Sequence, residues 1–303
     1  MRLRIVLNRA AGTIARLSAD QAVALICDGF RAAGHQVACR LYEPAEIQAA
    51  LQDAARSGAD CLVVGGGDGT IATAANVLAG GRMALGVLPL GTMNLLAHDL
   101  GIPADLAAAV AALATGEIRP IDAGEVNGRR FLSHASIGLY PKLIEERERQ
   151  RESHDLGKWP AMAIAAAKWL PRAPRLAVSI DLGQGAVHLR TTGLLISNNP
   201  HQDGIGRVFQ RPRLDTGRLG LYIARHQGPA RLLRLLGLLA LGLWRHDPEL
   251  DDFQAPEITV QARRALTVAL DGDIHRMTPP LRFRSVPGAL RVLAPRRDPA
   301  AAA

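Results

Sequence analysis

The sequence predicts two lobes of different class: an α/β lobe built on a parallel sheet, then a mainly antiparallel β lobe. Three observations carry this. Up to about residue 120, short apolar runs alternate with segments of helical period, the pattern of strands joined by helices in a parallel sheet. Two neighbouring apolar runs end in glycine turns, at residues 65–70 and 89–94. Beyond Pro120 the helical period gives way to short strands punctuated by Asn127-Gly128, Asp271-Gly272 and Pro287-Gly288, pairs that favour turns.

In order, residues 3–8 read as the first strand and 19–33 as a helix ended by Gly34. Residues 36–41 form the second strand, and 44–57 a helix closed by Gly58. Residues 61–64 are a continuous apolar run, hence a buried strand. Ile71, Ala74, Ala75 and Leu78 then recur at helical spacing until Gly80 and Gly81 stop them, as glycines past a helix end do. A strand at 84–90, a short helix at 95–100 and a helix at 103–115 complete the first lobe. The second opens with a hairpin, 121–126 and 129–136. A helix at 142–153, charged on nearly every side, reads as solvated; an apolar helix at 159–169 follows. Strands are expected at 176–181, 187–191, 194–198, 219–224, 258–261 and 266–270, with a long polar loop at 199–212. A closing hairpin, 281–285 and 289–293, is expected around Pro287-Gly288. The domains are thus 1–122 and 123–298, the final strand being free to return toward the first, with a disordered tail at 299–303.

The 303 residues are 48% hydrophobic and 21% charged, an ordinary globular balance. Only 4% are aromatic, too few for the base-stacking platforms of a single-strand nucleic-acid binder, so no nucleic-acid partner is expected. The net charge of +8 favours anionic partners. Cys27, Cys39 and Cys61 make neither a disulfide framework nor a zinc motif. No signal-peptide pattern and no membrane-spanning apolar run is seen. The expectation is a cytoplasmic protein. Residues 229–244, leucines on one side and arginines near the start, read either as a helix lying at the inner membrane surface or as one packed between strands. The oligomeric state stays open.

The turn Gly65-Gly66-Gly67-Asp68-Gly69-Thr70 has a chemical use. Glycine lets the backbone approach a ligand, and the unpaired N–H groups of the following helix favour an anion. A phosphate chain fits such a place; Asp68 fits only beside a cation, such as Mg²⁺. The alternative is a tight strand-to-helix connection without a ligand. A second turn, Pro89-Leu90-Gly91-Thr92-Met93-Asn94, at the end of the neighbouring strand shifts the balance, because ligands of open parallel sheets bind at the carboxyl ends of strands.

Gly66-Gly67-Asp68-Gly69-Thr70 followed by Pro89-Leu90-Gly91-Thr92-Met93-Asn94 resembles the diacylglycerol kinase catalytic family, bacterial lipid kinases related to sphingosine kinases. The resemblance implies a first domain like those of phosphofructokinases and NAD kinases, ATP and Mg²⁺ as cofactors, a lipid alcohol as substrate and a role in phospholipid biosynthesis. It implies nucleotide contacts at Asn8, Gly12, Arg40, Gly66, Gly67, Asp68, Gly69, Thr70, Gly91, Thr92 and Asn94. Asp68 would meet the metal of ATP-Mg²⁺. Asp122 matches an aspartate that the family carries near the phosphates, and equally reads as a hinge cap. Asp271-Gly272-Asp273 matches the family's Asp-Gly-Glu, making Asp273 the base for the lipid hydroxyl. The family holds a structural Mg²⁺ through an aspartate where Thr216 stands here; Asp215, one residue earlier, is the candidate ligand. Leu95 replaces a second family acid. A small-molecule kinase of the NAD kinase type, and a catalytically weak nucleotide- or lipid-binding regulator, are the other readings.

Overall fold

The computed structural model describes residues 1–12, 14, 18–154, 157–204 and 210–296; the expected disordered tail at 299–303 lies outside them. The chain divides into two compact units. Unit 1 takes residues 1–123 and the chain from Pro287 on; unit 2 takes Gly124–Val286.

Unit 1 is a parallel sheet with helical cover. Strands β1 (Arg2–Asn8), β2 (Gln36–Tyr42), β3 (Cys61–Gly66) and β4 (Ala84–Pro89) are joined by the right kind of link for parallel pairing, a helix each time. β1 pairs in parallel with both β2 and β3, and β3 with β4. The central strands β3 and β4 are buried along their whole length, which is why they read as unbroken apolar runs. Helices α1 (Ala19–Ala32), α2 (Ile47–Arg56), α3 (Asp68–Leu78), α4 (Leu95–Asp99) and α5 (Leu106–Ala114) follow the expected order. Their starts are set chemically: Ser18 and Asp105 accept the N–H groups of Gln21 and Ala108, capping α1 and α5.

Unit 2 is an antiparallel β sandwich. Its first strands, β5 (Glu117–Val126, which starts in unit 1) and β6 (Arg129–Phe131), turn at Asn127 and Gly128, both at positive φ, the geometry Asn-Gly favours. β7 (His134–Gly138), β8 (Leu176–Asp181), β9 (Ala186–Thr191), β10 (Gly193–Asn198), β11 (Leu219–Ala224), β12 (Leu250–Ala255), β13 (Glu257–Gln261), β14 (Leu266–Leu270), β15 (Asp273–Met277) and β16 (Leu281–Ala294) follow. One sheet runs in the order β12-β11-β10-β7-β14-β15; facing it are β13, β8, β9 and the first part of β16. Ile137, Ile196, Leu221 and Val268 of the first sheet pack on Val178, Ile180, Val260 and Phe283 of the second. Helices α6 (Leu139–His154) and α7 (Lys158–Trp169) are inserted as a packed pair after β7, and α8 (Pro229–Leu241) after β11.

The structure corrects the sequence reading in five places. Residues 129–136 are two strands, broken at Leu132 and Ser133. The helix read as solvated carries Glu146, whose side chain is 2% exposed and accepts bonds from Arg149, Gln150 and Lys168. The polar loop 199–212 contributes Asn199, His201 and Arg211 to the interior. β12 and β15 were not expected. Finally, β16 is one strand of 14 residues rather than a hairpin. Asp122 accepts the N–H of Gly288 at 3.0 Å, and the chain continues past Pro287-Gly288 to pair in parallel with β4 at Val292 and Leu293.

Candidate active site

The two glycine turns of unit 1 are locked to each other. β3 ends at Gly66, Gly67 caps α3 in an extended conformation, and Ile71 N–H donates to Gly67 O at 3.1 Å. Space decides the glycines. A Cβ on Gly91 would meet Gly67 Cα at 2.6 Å, and one on Gly66 would meet the Thr70 side chain at 2.7 Å. Asp68 fastens the pair: its Oδ1 accepts the Leu95 N–H at 2.8 Å and its Oδ2 the Asn94 N–H at 3.2 Å. The carboxylate of the first turn thus caps the helix of the second, α4, where negative charge is favourable. Asn94, at φ +50°, closes the second turn through Gly91, accepting its N–H at 2.8 Å and donating to its carbonyl at 3.0 Å.

β1 brings a third loop to the same end of the sheet. Asn8 Nδ2 donates to Thr70 Oγ1 at 3.2 Å, and Asn8 Oδ1 accepts the Ala10 N–H at 3.0 Å. Gly12 is exposed beyond it, with open space where a side chain would stand. Arg40 is exposed on edge strand β2, its guanidinium 5.0 Å from the Tyr42 ring centroid; Tyr42 pairs with Asn8. Thr92 is exposed. So Asn8, Gly66, Gly67, Asp68, Thr70, Gly91 and Asn94 form one bonded or touching group. Asp122 is 2% exposed and accepts the Gly288 N–H at 3.0 Å, a contact that fits the capping reading of the two the sequence left open.

The unit 1 group suits a phosphate chain: the α3 N-terminus offers backbone donors, and the Gly67–Gly91 approach leaves no bulk over them. It suits a metal accompanying that chain as well, since each Asp68 oxygen accepts one N–H and keeps a second lone pair.

In unit 2, Asp271 (φ +50°) and Gly272 (φ +104°) form the two-residue turn between β14 and β15, with Leu270 opposite Asp273. Asp273 is exposed. The Asp271 carboxyl is enclosed: burial pushes it above the ordinary carboxylate range, opposed by the N–H groups of Leu132, Ser133 and His134 and by the nearby Arg211 guanidinium. In the sequence Asp271 was read only as part of the Asp-Gly turn, and Arg211 was not singled out. Asp-Gly announces a turn whatever the aspartate binds, and Arg211 is one arginine in a polar stretch without periodicity. At the same end of this sheet, where Asn198 pairs with Leu219 and Ser197 with His134, Asp215 is paired with Arg213 at 3.0 Å, while Thr216 donates its N–H and hydroxyl to Asn199 Oδ1 at 2.9 and 2.6 Å. Among the described residues no three His, Cys, Asp or Glu side chains gather to hold a metal.

A parallel α/β unit with paired glycine turns and an antiparallel sandwich carrying an Asp-Gly turn define a class shared with known kinases. Residues 2–126 match the diacylglycerol kinase catalytic domain, and residues 147–294 the YegS C-terminal NAD kinase beta sandwich-like domain. The chain is 34% identical over 279 residues to a "Probable lipid kinase YegS-like" of Pseudomonas aeruginosa PAO1, covering 89% of this chain and 88% of that one. It is 28% identical to a diacylglycerol kinase of Bacillus subtilis, covering 92% and 91%. The crystal structure of a diacylglycerol kinase from Bacillus anthracis superposes with a TM-score of 0.72 at 17% identity, over 99% of this chain and 97% of that one. The chain therefore belongs to the diacylglycerol kinase catalytic-domain family, with the YegS-type second domain.

Proposed function

We propose that the protein is an ATP-dependent lipid kinase that transfers the γ-phosphoryl group to a lipid hydroxyl, of diacylglycerol or a related lipid alcohol. The observation that carries this is the Asp68 lock between two glycine turns at the carboxyl ends of β3 and β4. It fixes two stretches of backbone donors before any ligand arrives, and phosphoryl transfer depends on such positioning and charge neutralisation.

In this reading unit 1 is the nucleotide domain and unit 2 the lipid domain. The backbone of Gly66, Gly67, Gly69 and Gly91 receives the triphosphate. Thr70 and Thr92 add hydroxyl donors; Asn8 and Asn94 hold the loops in shape; Gly12 and Arg40 flank the nucleotide from the β1 and β2 ends. Asp68 would be the carboxylate that holds Mg²⁺ accompanying the nucleotide, and the ion would supply neutralisation of phosphate charge. Asp273 takes the proton of the lipid hydroxyl as the new O–P bond forms. The bond from the γ-phosphorus to the β–γ bridging oxygen breaks, and ADP leaves with that electron pair. Asp122 is assigned the capping role and Asp215 no metal. Such a substrate lies in a membrane, so the protein is assigned to the cytoplasm with peripheral contact at the inner membrane surface. No helix among the described residues is long and apolar enough to cross a membrane.

The test is radiolabelled ATP incubated with a total lipid extract and the wild type or Asp273→Ala. Label in the organic phase with the wild type and at least ~100-fold less with the variant is expected, the scale on which a general base contributes. ATP binding without any transfer would support the regulator reading instead. Label on NAD and none on lipid would support a small-molecule kinase.

A further inference from the structure

Residues 132–134, the break between β6 and β7, are gripped from both sides by opposite charges. Asp271 takes their donors: Oδ2 accepts Leu132 N–H at 2.7 Å, and Oδ1 accepts Ser133 N–H at 2.7 Å and His134 N–H at 3.1 Å. Arg211 takes their acceptors. Its Nη1 donates to Leu132 O at 2.6 Å and Ser133 O at 3.4 Å, and also to Asn198 O at 2.8 Å. Asn198 reinforces the same stretch, its Nδ2 donating to Leu132 O at 3.0 Å and its N–H to Ser133 O at 2.9 Å. The turn is tied back in turn: Asp271 N–H donates to His134 O at 3.0 Å.

Arg211 is 1% exposed, and among the described residues it is the bulkiest of the fully buried side chains. Burying a guanidinium carries a desolvation cost that its bonds must offset, and stability alone is as well served by an apolar residue of the same volume. What the charge adds here is direction. A carboxylate with three fixed donors and a guanidinium with three fixed carbonyls leave the 132–134 segment, and with it the Asp271-Gly272 turn, one place to stand. Asp273 is the next residue.

We propose that Arg211 is a positioning residue: through the 132–134 segment and Asp271 it sets where the β14–β15 turn presents Asp273. This rests on the reading of Asp273 as the base of the lipid kinase. Arg211 touches no substrate. It acts by holding the base within the few tenths of an ångström that proton transfer tolerates.

The test compares wild type, Arg211→Met and Arg211→Lys in the labelled-ATP assay, with backbone hydrogen exchange of the same proteins. Arg211→Met is expected to lower kcat roughly 30- to 100-fold, the cost of a base displaced by about 1 Å. Its ATP KM should stay within about twofold, since the nucleotide contacts lie in unit 1, while exchange quickens at residues 131–135 and 269–274. Arg211→Lys keeps the charge but loses the planar fork. It is expected to recover at least about fivefold in kcat over the methionine variant. Should Arg211→Met not fold, the lysine variant carries the test: kcat about 5- to 20-fold below wild type at unchanged ATP KM is expected, and wild-type kcat overturns the proposal. So does wild-type kcat in a folded Arg211→Met. Exchange that quickens throughout unit 2, with kcat and ATP affinity falling together in both variants, overturns it as well, because Arg211 is then a stabiliser only. Failure of the wild type itself to label any lipid is a separate outcome. It overturns the kinase reading and removes the role proposed for Arg211 along with it.

Discussion

At the scale of single residues, contact geometry ranks the site. Asp68 joins the two turns, starting α3 itself and accepting from Asn94 and Leu95 of the second. Asp68→Ala frees the α4 N-terminus and is expected to lower kcat/KM for ATP by ~100-fold, the usual price of losing a preorganised electrostatic contact; steady-state kinetics against ATP concentration checks it. Gly91→Ala should act more on binding than on chemistry. Its methyl would meet backbone, Gly67 Cα, at 2.6 Å, and backbone cannot swing aside. A fluorescent-nucleotide titration is expected to show affinity weakened by at least tenfold, on the order of 1.4 kcal/mol. His201 makes a prediction of another kind. Burial first, then the charges of Arg211 and His134, push its imidazole well below the ordinary histidine range. Folded His201 stays neutral where unfolded histidine takes up a proton, so acid favours the unfolded state and stability falls as pH drops through the ordinary histidine range. The melting temperature of the wild type should fall between pH 7.5 and 5.5, and His201→Asn should fall less over the same interval.

At the scale of elements, the helical pair α6–α7 is held by an anion that local sequence cannot reveal. Bonds from Arg149, Gln150 and then Lys168 hold the Glu146 carboxyl below the usual carboxylate range. Its contribution is therefore present above the ordinary glutamate pKa and lost only as pH falls through that lower folded value. Glu146→Gln is expected to quicken hydrogen exchange across residues 139–169 and to leave the rest of unit 2 unchanged; equal exchange in variant and wild type would make Glu146 a bystander. Lys168 is 22 residues away from Glu146, so no window on the sequence joins them, and α6 read as charged on nearly every side. The same limit explains the other gaps. Short-range signals were legible: Asn127-Gly128 and Asp271-Gly272 stand at positive φ as turns, and Gly66 at the end of β3 and Gly91 just past β4 stand where their close packing demands. What depends on a distant partner was not. β12 carries Asp251, Asp252 and Gln254 among its six residues, a composition that marks a protected edge strand only once β11 is beside it. Pro287-Gly288 has the look of a hairpin until Asp122, 166 positions earlier in the chain, is seen to take the Gly288 N–H.

At the scale of the whole molecule, unit 1 is not a contiguous piece of chain, and this has a measurable consequence. The end of β16 lies in it: Leu290, Val292, Leu293 and Ala294 are each no more than 2% exposed, Val292 and Leu293 pair with β4, and the Ala289 carbonyl accepts the Gly80 N–H at 2.9 Å. Burying each of the three larger side chains is worth about 1.5–3 kcal/mol. Together they amount to roughly 5–9 kcal/mol, against a total of about 5–15 kcal/mol for an ordinary domain. The stretch that matches the catalytic-domain model, residues 2–126, lacks all of them. Expressed alone, residues 1–126 are expected to show no cooperative thermal transition by circular dichroism and no nucleotide binding. Joining residues 287–296 to that fragment through a flexible linker should restore both, because it returns the buried strand without unit 2. A fragment 1–126 that melts cooperatively and binds nucleotide would mean that the returning strand is an ornament of unit 1 and not part of its core.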